Sequence, residues 1–302
     1  MSAMPPTKAA PMKVLVTGHK GFTGRYVAAA LAAAGHVVHS LTLDPMDGDS
    51  ASIDLLDRRA VADAIEASAP DAVVHLAAIA FVAHGDAEQM YRTNVVGTRN
   101  VLDALTAVPT KPRAVLLASS ANVYGNSDVE LLDEAVPPSP ANDYAVSKLA
   151  MEYMARLWFD KLPITIVRPF NYTGVGQAEN FLLPKIVSHF RAGKRVIELG
   201  NIDVARDFQD VRFVADAYAR LLTAGASGEL VNICSGVSVS LQQVVSIAER
   251  IAGYDIEIRV NPAFVRGNEV ARLTGDNRKL SRLVGDLEII PIEATLRWMY
   301  EQ

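Results

Sequence analysis

Met12-Lys-Val-Leu-Val-Thr17 runs into Gly18-His-Lys-Gly21-Phe-Thr-Gly24, and that stretch decides the fold. The residues up to Thr17 form a near-continuous apolar run, the pattern of a strand buried on both faces. Phe22 to Ala34 is amphipathic and alanine-rich, with Gly35 as its stop signal, so it reads as a helix. Between the two, glycines at Gly-x-x-Gly-x-x-Gly spacing let the backbone turn tightly into the helix. There the exposed N–H groups and the helix dipole favour an anion such as a pyrophosphate. A glycine triplet alone is as readily an ordinary turn; placed between a strand and a helix, it reads as a dinucleotide loop.

Outward from this loop the alternation continues. Val37 to Leu43, Ala72 to Ala77, Ala114 to Ser119 and Ile164 to Val167 read as four further strands, separated by helix-length segments. The fold class is therefore α/β, a Rossmann-type doubly wound parallel sheet. After Pro169 the rhythm changes to turn-rich segments, with helices at Phe181 to Ala192 and Val211 to Thr223, which mark a smaller α/β substrate region. Ser240-Leu-Gln-Gln243 opens another helix as a capping box, Gly253 closes it, and Asp276 to Leu283 and Ile292 to Tyr300 read as terminal helices. We expect a disordered tail over 1–11 and a dinucleotide-binding domain over 12–170, which the strand-like Glu229 to Ile233 rejoins through 208–235. The segments 171–207 and 236–302 then form the substrate domain.

Composition excludes several function classes. The 302 residues carry 29 Lys and Arg against 34 Asp and Glu, a net charge of −5 with no block of like charge, so neither nucleic acid nor an anionic membrane surface is an expected partner. Cys234 is the sole cysteine, which excludes an internal disulfide and a zinc site built on several thiolates. The apolar stretch Val27 to Ala34 is far below the roughly 18 to 20 residues of a membrane span. With no signal-peptide core in the first eleven residues, the expected setting is cytoplasmic. His19, His36, His39, His75, His84 and His189 show no ligand spacing, so no metal is expected.

Tyr144-Ala-Val-Ser-Lys148 opens a helix over Tyr144 to Phe159, and the four-residue spacing stacks phenol and ammonium on one face. A phenol with an ordinary pKa of about 10 needs a nearby cation to work as an acid-base group at neutral pH. Ser119 and Ser120 end the fourth strand, at the carboxyl edge where doubly wound sheets bind ligands, 24 residues before Tyr144 for the second of the pair.

At this point the chain resembles the extended short-chain dehydrogenase/reductase family, also called the NAD-dependent epimerase/dehydratase family. The resemblance rests on the glycine loop, Asp54-Leu55, His75-Leu-Ala-Ala78, Asn94-Val-Val-Gly-Thr98, Ser119-Ser-Ala-Asn-Val-Tyr-Gly125, Tyr-x-x-x-Lys148 and Arg168-Pro-Phe-Asn171, in family order. It implies that Ser120, Tyr144 and Lys148 are catalytic. Ser120 would hold the substrate oxygen, Tyr144 would exchange the proton, and Lys148 would bind the nicotinamide ribose and lower the phenol's pKa. It assigns the cofactor to Gly18, Lys20, Gly21, Phe22, Thr23, Gly24, Thr42, Asp54, Leu55, Leu76, Ala77, Ala78, Asn94, Ser119, Tyr144, Lys148 and Arg168, although Ser119 is also read as a plain strand end. Asp44 lies 20 residues after Gly24, whereas counting from Gly35 turns Thr42 toward the adenosine ribose. Lys20 reads equally as a partner for a 2′-phosphate and as a solvated loop charge. On balance NADP(H) is preferred to NAD(H).

Within the family, dehydratases place a Glu where this chain has Asn122, and an amide cannot transfer that proton. The double-acting epimerase-reductases place a Cys where Ala121 stands and a His near Gly176. The second half, through Arg168 to Gln177, Gly200 to Val211 and Val231 to Gly236, resembles the family's reductases of GDP-4-dehydro-6-deoxy-D-mannose. That implies a GDP-sugar substrate met by Val82, His84, Ser120, Asn122, Asn171, Arg206, Arg266 and Glu269, the arginines suiting a diphosphate. The alternatives are a nucleotide-sugar 4-epimerase with tightly held NAD and a non-catalytic dinucleotide sensor. The resemblance also implies a homodimer through a four-helix bundle of Ala87 to Leu105 and Tyr144 to Phe159.

Overall fold

The computed structural model describes residues 10–41, 53–80, 86–264 and 270–302. Thr42, Asp44, Val82, His84, Arg266, Glu269 and the first nine residues lie outside that set. In chain order the first half contains β1 (Lys13–Thr17), α1 (Phe22–Ala33), β2 (Val37–Leu41), α2 (Arg58–Ser68), β3 (Ala72–His75), α3 (Ala87–Tyr91), α4 (Thr98–Ala107), β4 (Ala114–Ala118), α5 (Asp143–Ala155) and β5 (Ile164–Pro169). A π-helical stretch over Arg92–Gly97 joins α3 to α4, and a 3-10 turn over Arg156–Trp158 follows α5. Both expected long helices are therefore present, with local changes of winding.

These strands form one parallel sheet, completed at its edge by Leu230–Ile233, which pairs with β5 from Leu230↔Ile166 to Ile233↔Pro169. Two cores cover the two faces, because the central strands are apolar on both sides. Val14, Val16 and Val74 pack toward α1, while Leu15, Val73 and Leu117 pack toward α2, α4 and α5. Strand β3 stops at His75 rather than Ala77. The Thr17 hydroxyl accepts hydrogen bonds from the N–H groups of Leu76 (3.2 Å) and Ala77 (3.1 Å), which draws the chain off the ladder and against the glycine loop.

The second half adds β6 (Asn171–Thr173), α6 (Leu182–Arg191), β7 (Val196–Leu199), β8 (Ala205–Arg206), β9 (Phe208–Asp210), α7 (Val211–Leu221), β10 (Leu230–Ile233), β11 (Val239–Ser240), α8 (Leu241–Ala252), β12 (Glu257–Val260), β13 (Arg272–Leu273), α9 (Arg278–Val284) and α10 (Ile292–Glu301). Ser240 and Gln243 form the expected reciprocal capping box of α8, and Gly253 closes that helix at φ +79°. Helices α6, α8 and α10 share a third core around Ile186, Phe190 and Val244. Helix α9 packs on the first core, where Leu280 is buried with residues of α7 and β10. Among the described residues no helix is long and apolar enough to cross a membrane.

Candidate active site

The glycine loop lies at the carboxyl edge of the sheet, and it is built for close backbone approach. Gly18 has φ +70°, and a Cβ there would stand 2.9 Å from the Ala77 nitrogen. A Cβ on Gly24 would stand 2.1 Å from the Gly18 carbonyl oxygen, so only glycine lets the loop fold onto the start of α1. Helix α1 begins at Gly21 with no side-chain cap and no acidic residue in its first turn. Its first N–H groups are thus left for an exogenous acceptor, and the cradle fits a dinucleotide pyrophosphate. Lys20, Phe22, Thr23, Leu76, Ala77 and Ala78 are half-buried around it.

His75 fixes this edge from below. Its Nδ1 lies 2.7 Å from the Thr17 hydroxyl and its Nε2 2.9 Å from the Thr98 hydroxyl. Thr98 donates its own proton to the Asn94 carbonyl, so it accepts from Nε2–H, and Nδ1 accepts from Thr17. Burial, helped by the nearby charge of Lys148, pulls the imidazole down to about 3. His75 is therefore a neutral connector.

Ser120, Tyr144 and Lys148 converge from two elements. Ser120 leaves β4 and caps the 3-10 turn Ala121–Tyr124, its hydroxyl oxygen accepting from the Asn122 N–H at 3.2 Å. Asn142 caps α5 through the Ala145 N–H, which starts the helix just ahead of Tyr144. Burial and the neighbouring Tyr172 push the Tyr144 phenol up, and its hydrogen bond with Ser120 pulls it back. The ammonium of Lys148, which burial draws down to about 8, has Glu152 as the charge that opposes that fall.

Several residues expected at the cofactor also make bonds within the protein. The Asn94 amide accepts from the Ile79 N–H at 2.8 Å and donates to the Ile79 carbonyl and the Ser147 hydroxyl, so it ties the loop after β3 to α5. Ser119 donates to Glu152 at 2.5 Å. Arg168 is 1 % exposed; it bonds Glu152 through Nε at 2.8 Å and Nη2 at 2.6 Å, with its guanidinium 4.7 Å above the Tyr124 ring. Asn94, Ser119 and Arg168 thus each make bonds that tie the scaffold, while Arg168 Nη1 stays buried without a hydrogen-bond partner. Leu55 is buried against Gly97 and its carbonyl accepts from Asn100, while Asp54 is exposed and accepts from the Leu56 N–H.

Of the residues expected at the substrate, Asn171 keeps a buried Oδ1 without a hydrogen-bond partner, and elsewhere Arg168 Nη1 and Thr274 Oγ1 are likewise buried without one. Arg206 is half-buried on β8, with Nη1 fixed by the Ala205 and Ala271 carbonyls. Asn122 is half-buried beside Ser120. Tyr172 escaped the sequence reading. Its hydroxyl lies 2.8 Å from that of Thr23, and its ring stacks on Phe22 at 6.1 Å between centroids, which brings a second phenol to the glycine loop. Glu152 was missed as well, although it extends the Tyr144 and Lys148 spacing by four more residues. Among the described residues no cluster of His, Cys, Asp and Glu gathers to hold a metal.

Known proteins share this sequence and fold. The model of the NAD dependent epimerase/dehydratase family matches residues 14–234. GDP-6-deoxy-D-talose 4-dehydrogenase of Aggregatibacter actinomycetemcomitans is 35% identical over 292 residues, spanning 96% of this chain and 97% of that protein. GDP-6-deoxy-D-mannose reductase of Pseudomonas aeruginosa is 35% identical over 296 residues, spanning 94% and 95%. A solved structure from Burkholderia cenocepacia J2315 is 50% identical with a TM-score of 0.90 over 98% of each chain. That of RMD from Pseudomonas aeruginosa complexed with NADPH is 33% identical, with a TM-score of 0.84 over 96% of this chain and 98% of that one. With its glycine loop between β1 and α1, the chain belongs by these matches to the NAD dependent epimerase/dehydratase family, and it is an NAD(P)-dependent oxidoreductase of the extended short-chain type.

Proposed function

We propose that this enzyme reduces the C4 ketone of GDP-4-dehydro-6-deoxy-D-mannose with NADPH, giving GDP-D-rhamnose in the cytoplasm. The observation that carries the reading is the near end-to-end match, at 35% identity, to a GDP-6-deoxy-D-mannose reductase. The NADPH in the related structure and Lys20 in the glycine loop support the choice of cofactor. Reduced nicotinamide, when bound, supplies the hydride. Tyr144 gives its phenolic proton to the alkoxide that develops at C4, and Ser120 donates a hydrogen bond to the same oxygen. Charge gathers on that one atom, so the two donors act where stabilisation counts most. Lys148 holds the nicotinamide ribose, and Arg206 and Asn171 meet the GDP portion. Asn122 carries no transferable proton, which favours reduction over dehydration.

A second product is favoured by one observation: the relative named GDP-6-deoxy-D-talose 4-dehydrogenase is also 35% identical and is matched over slightly more of both chains, 96% and 97%. The talose product differs only in the C4 configuration, set by which ketone face meets the hydride. The enzyme is further proposed to be a homodimer through α4 and α5, where Val146, Tyr153 and Leu157 form an exposed apolar stripe.

The test is nicotinamide absorbance with NADPH, and separately NADH, plus GDP-4-dehydro-6-deoxy-D-mannose made freshly by a dehydratase. Stoichiometric consumption is expected, faster with NADPH, and the product's C4 configuration read by NMR separates rhamnose from talose. Tyr144→Phe should lose about two to four orders of magnitude in turnover with cofactor binding retained. No consumption by folded protein that already carries NAD would move the assignment to a 4-epimerase.

A further inference from the structure

Tyr144, Lys148 and Glu152 stand at four-residue intervals on α5, so one helix face carries all three toward the sheet. Glu152 is fully buried, and both of its oxygens are occupied. Oε1 accepts from the Ser119 hydroxyl at 2.5 Å and from Arg168 Nε at 2.8 Å, and Oε2 accepts from Arg168 Nη2 at 2.6 Å. Ser119 is the residue before Ser120, and its N–H donates at 2.7 Å to the carbonyl of Val167, the residue before Arg168. This one carboxylate is therefore the point where α5, the end of β4 and β5 are tied together.

The surrounding charges are few. Arg168 from β5 offsets Glu152, and Tyr124 lies under that guanidinium with its hydroxyl on Asn232. His75, from the end of β3, is neutral and faces Lys148, and Tyr172 faces Tyr144. Lys148 is left as the net charge of the buried cluster.

We infer that Glu152 is a positioning residue of the hydride-transfer site: through Ser119 it sets Ser120 against Tyr144, and through its charge it keeps Lys148 an ammonium ion. The inference rests on the reading above that Ser120, Tyr144 and Lys148 carry the reduction. Burial draws Lys148 down, and Glu152 is the group that opposes the fall. Glu152→Gln keeps the shape and an acceptor for Ser119 while removing the charge, so Lys148 loses its proton at lower pH.

The experiment measures kcat and KM for the ketosugar against pH for the full chain, Glu152→Gln, Glu152→Asp, and Glu152→Gln with Arg168→Met, which removes the stranded guanidinium. A second readout follows the Lys148 side chain by carbon-13 NMR titration of the cofactor-free protein. Glu152→Gln should shift the alkaline limb of kcat, and the Lys148 titration, acidward by about one to two pH units, and the double variant should shift both in the same direction by less, because the Arg168 charge leaves with that of Glu152. KM should stay within about twofold, and Glu152→Asp should restore the wild-type limb. If Glu152→Gln does not fold, the double variant decides. An unmoved limb and an unmoved Lys148 titration in a folded Gln variant overturn the inference. Near-normal turnover by Tyr144→Phe in the same assay would instead overturn the site assignment on which it rests.

Discussion

Replacing His75 by Gln tests the base of the cofactor edge, because a buried imidazole makes stability depend on pH in a calculable way. His75 is 2 % exposed, hydrogen-bonded to Thr17 and Thr98, and held at about 3 against an unfolded value near 6.5. The folded state refuses a proton that the unfolded chain accepts, so this contribution is fully present above about pH 6.5. It falls as pH drops toward 3, by at most about 1.4 kcal/mol per pH unit. Between pH 7 and pH 5 the loss amounts to about 2 kcal/mol, since 1.5 units of that window lie below about 6.5. Gln cannot titrate and keeps one of the two threonine bonds, so at pH 7 the variant should be less stable by about 1 to 3 kcal/mol. Urea unfolding of both proteins at pH 7, 6 and 5 isolates the imidazole, because every other titrating group cancels in the difference. The stability gap should close by about 2 kcal/mol at pH 5. A gap that stays constant across the series would refute the neutral, doubly bonded His75.

Gly24→Ala places a Cβ 2.1 Å from the Gly18 carbonyl oxygen, so the loop must move. NADPH affinity measured by nicotinamide fluorescence should weaken at least about tenfold, about 1.4 kcal/mol, and an unchanged Kd would show that the loop is not the cradle. Lys148, drawn down to about 8, should give kcat an alkaline limb near that pH, since the working form is the ammonium ion and the folded site loses its proton sooner than an exposed lysine. A kcat that stays flat at saturating substrate to about pH 9.5, close to the ordinary lysine value, would show that Lys148 does not act as a cation. Leu157→Asp puts a charge on the exposed stripe of the helix pair and should convert a dimer to monomers in sedimentation, whereas an unchanged sedimentation coefficient would remove this face as the interface.

Features carried by neighbours in sequence were legible: the glycine loop between strand and helix, the capping box at Ser240, and the phenol and ammonium one turn apart on α5. The strand at Leu230–Ile233 was legible too, because a short apolar run needs a sheet to join. What escaped depends on partners far along the chain. Tyr172 reaches Thr23 across 149 residues, and Thr17 ends β3 by capturing amides about 60 residues later. The scaffold bonds of Asn94, Ser119 and Arg168 were not legible from their motifs either: a motif fixes position in the chain, whereas burial decides which polar group must take which partner.

Arg168 shows that part of this was recoverable from physics alone. It lies in a strand whose flanking residues are apolar on both faces, so its guanidinium had to be buried. An unpaired buried guanidinium is far too costly to leave uncompensated, so a carboxylate had to lie within reach. The carboxylate also had to come from an element packed on that face of the sheet, where α5 brings its apolar side. Stepping along α5 from Tyr144 through Lys148 by one helical turn each time leads to Glu152, an acidic residue on the face that must be buried. The cost of a lone buried ion and the period of a helix, counted onward from the Tyr144 and Lys148 pair, together select the residue that ties the site.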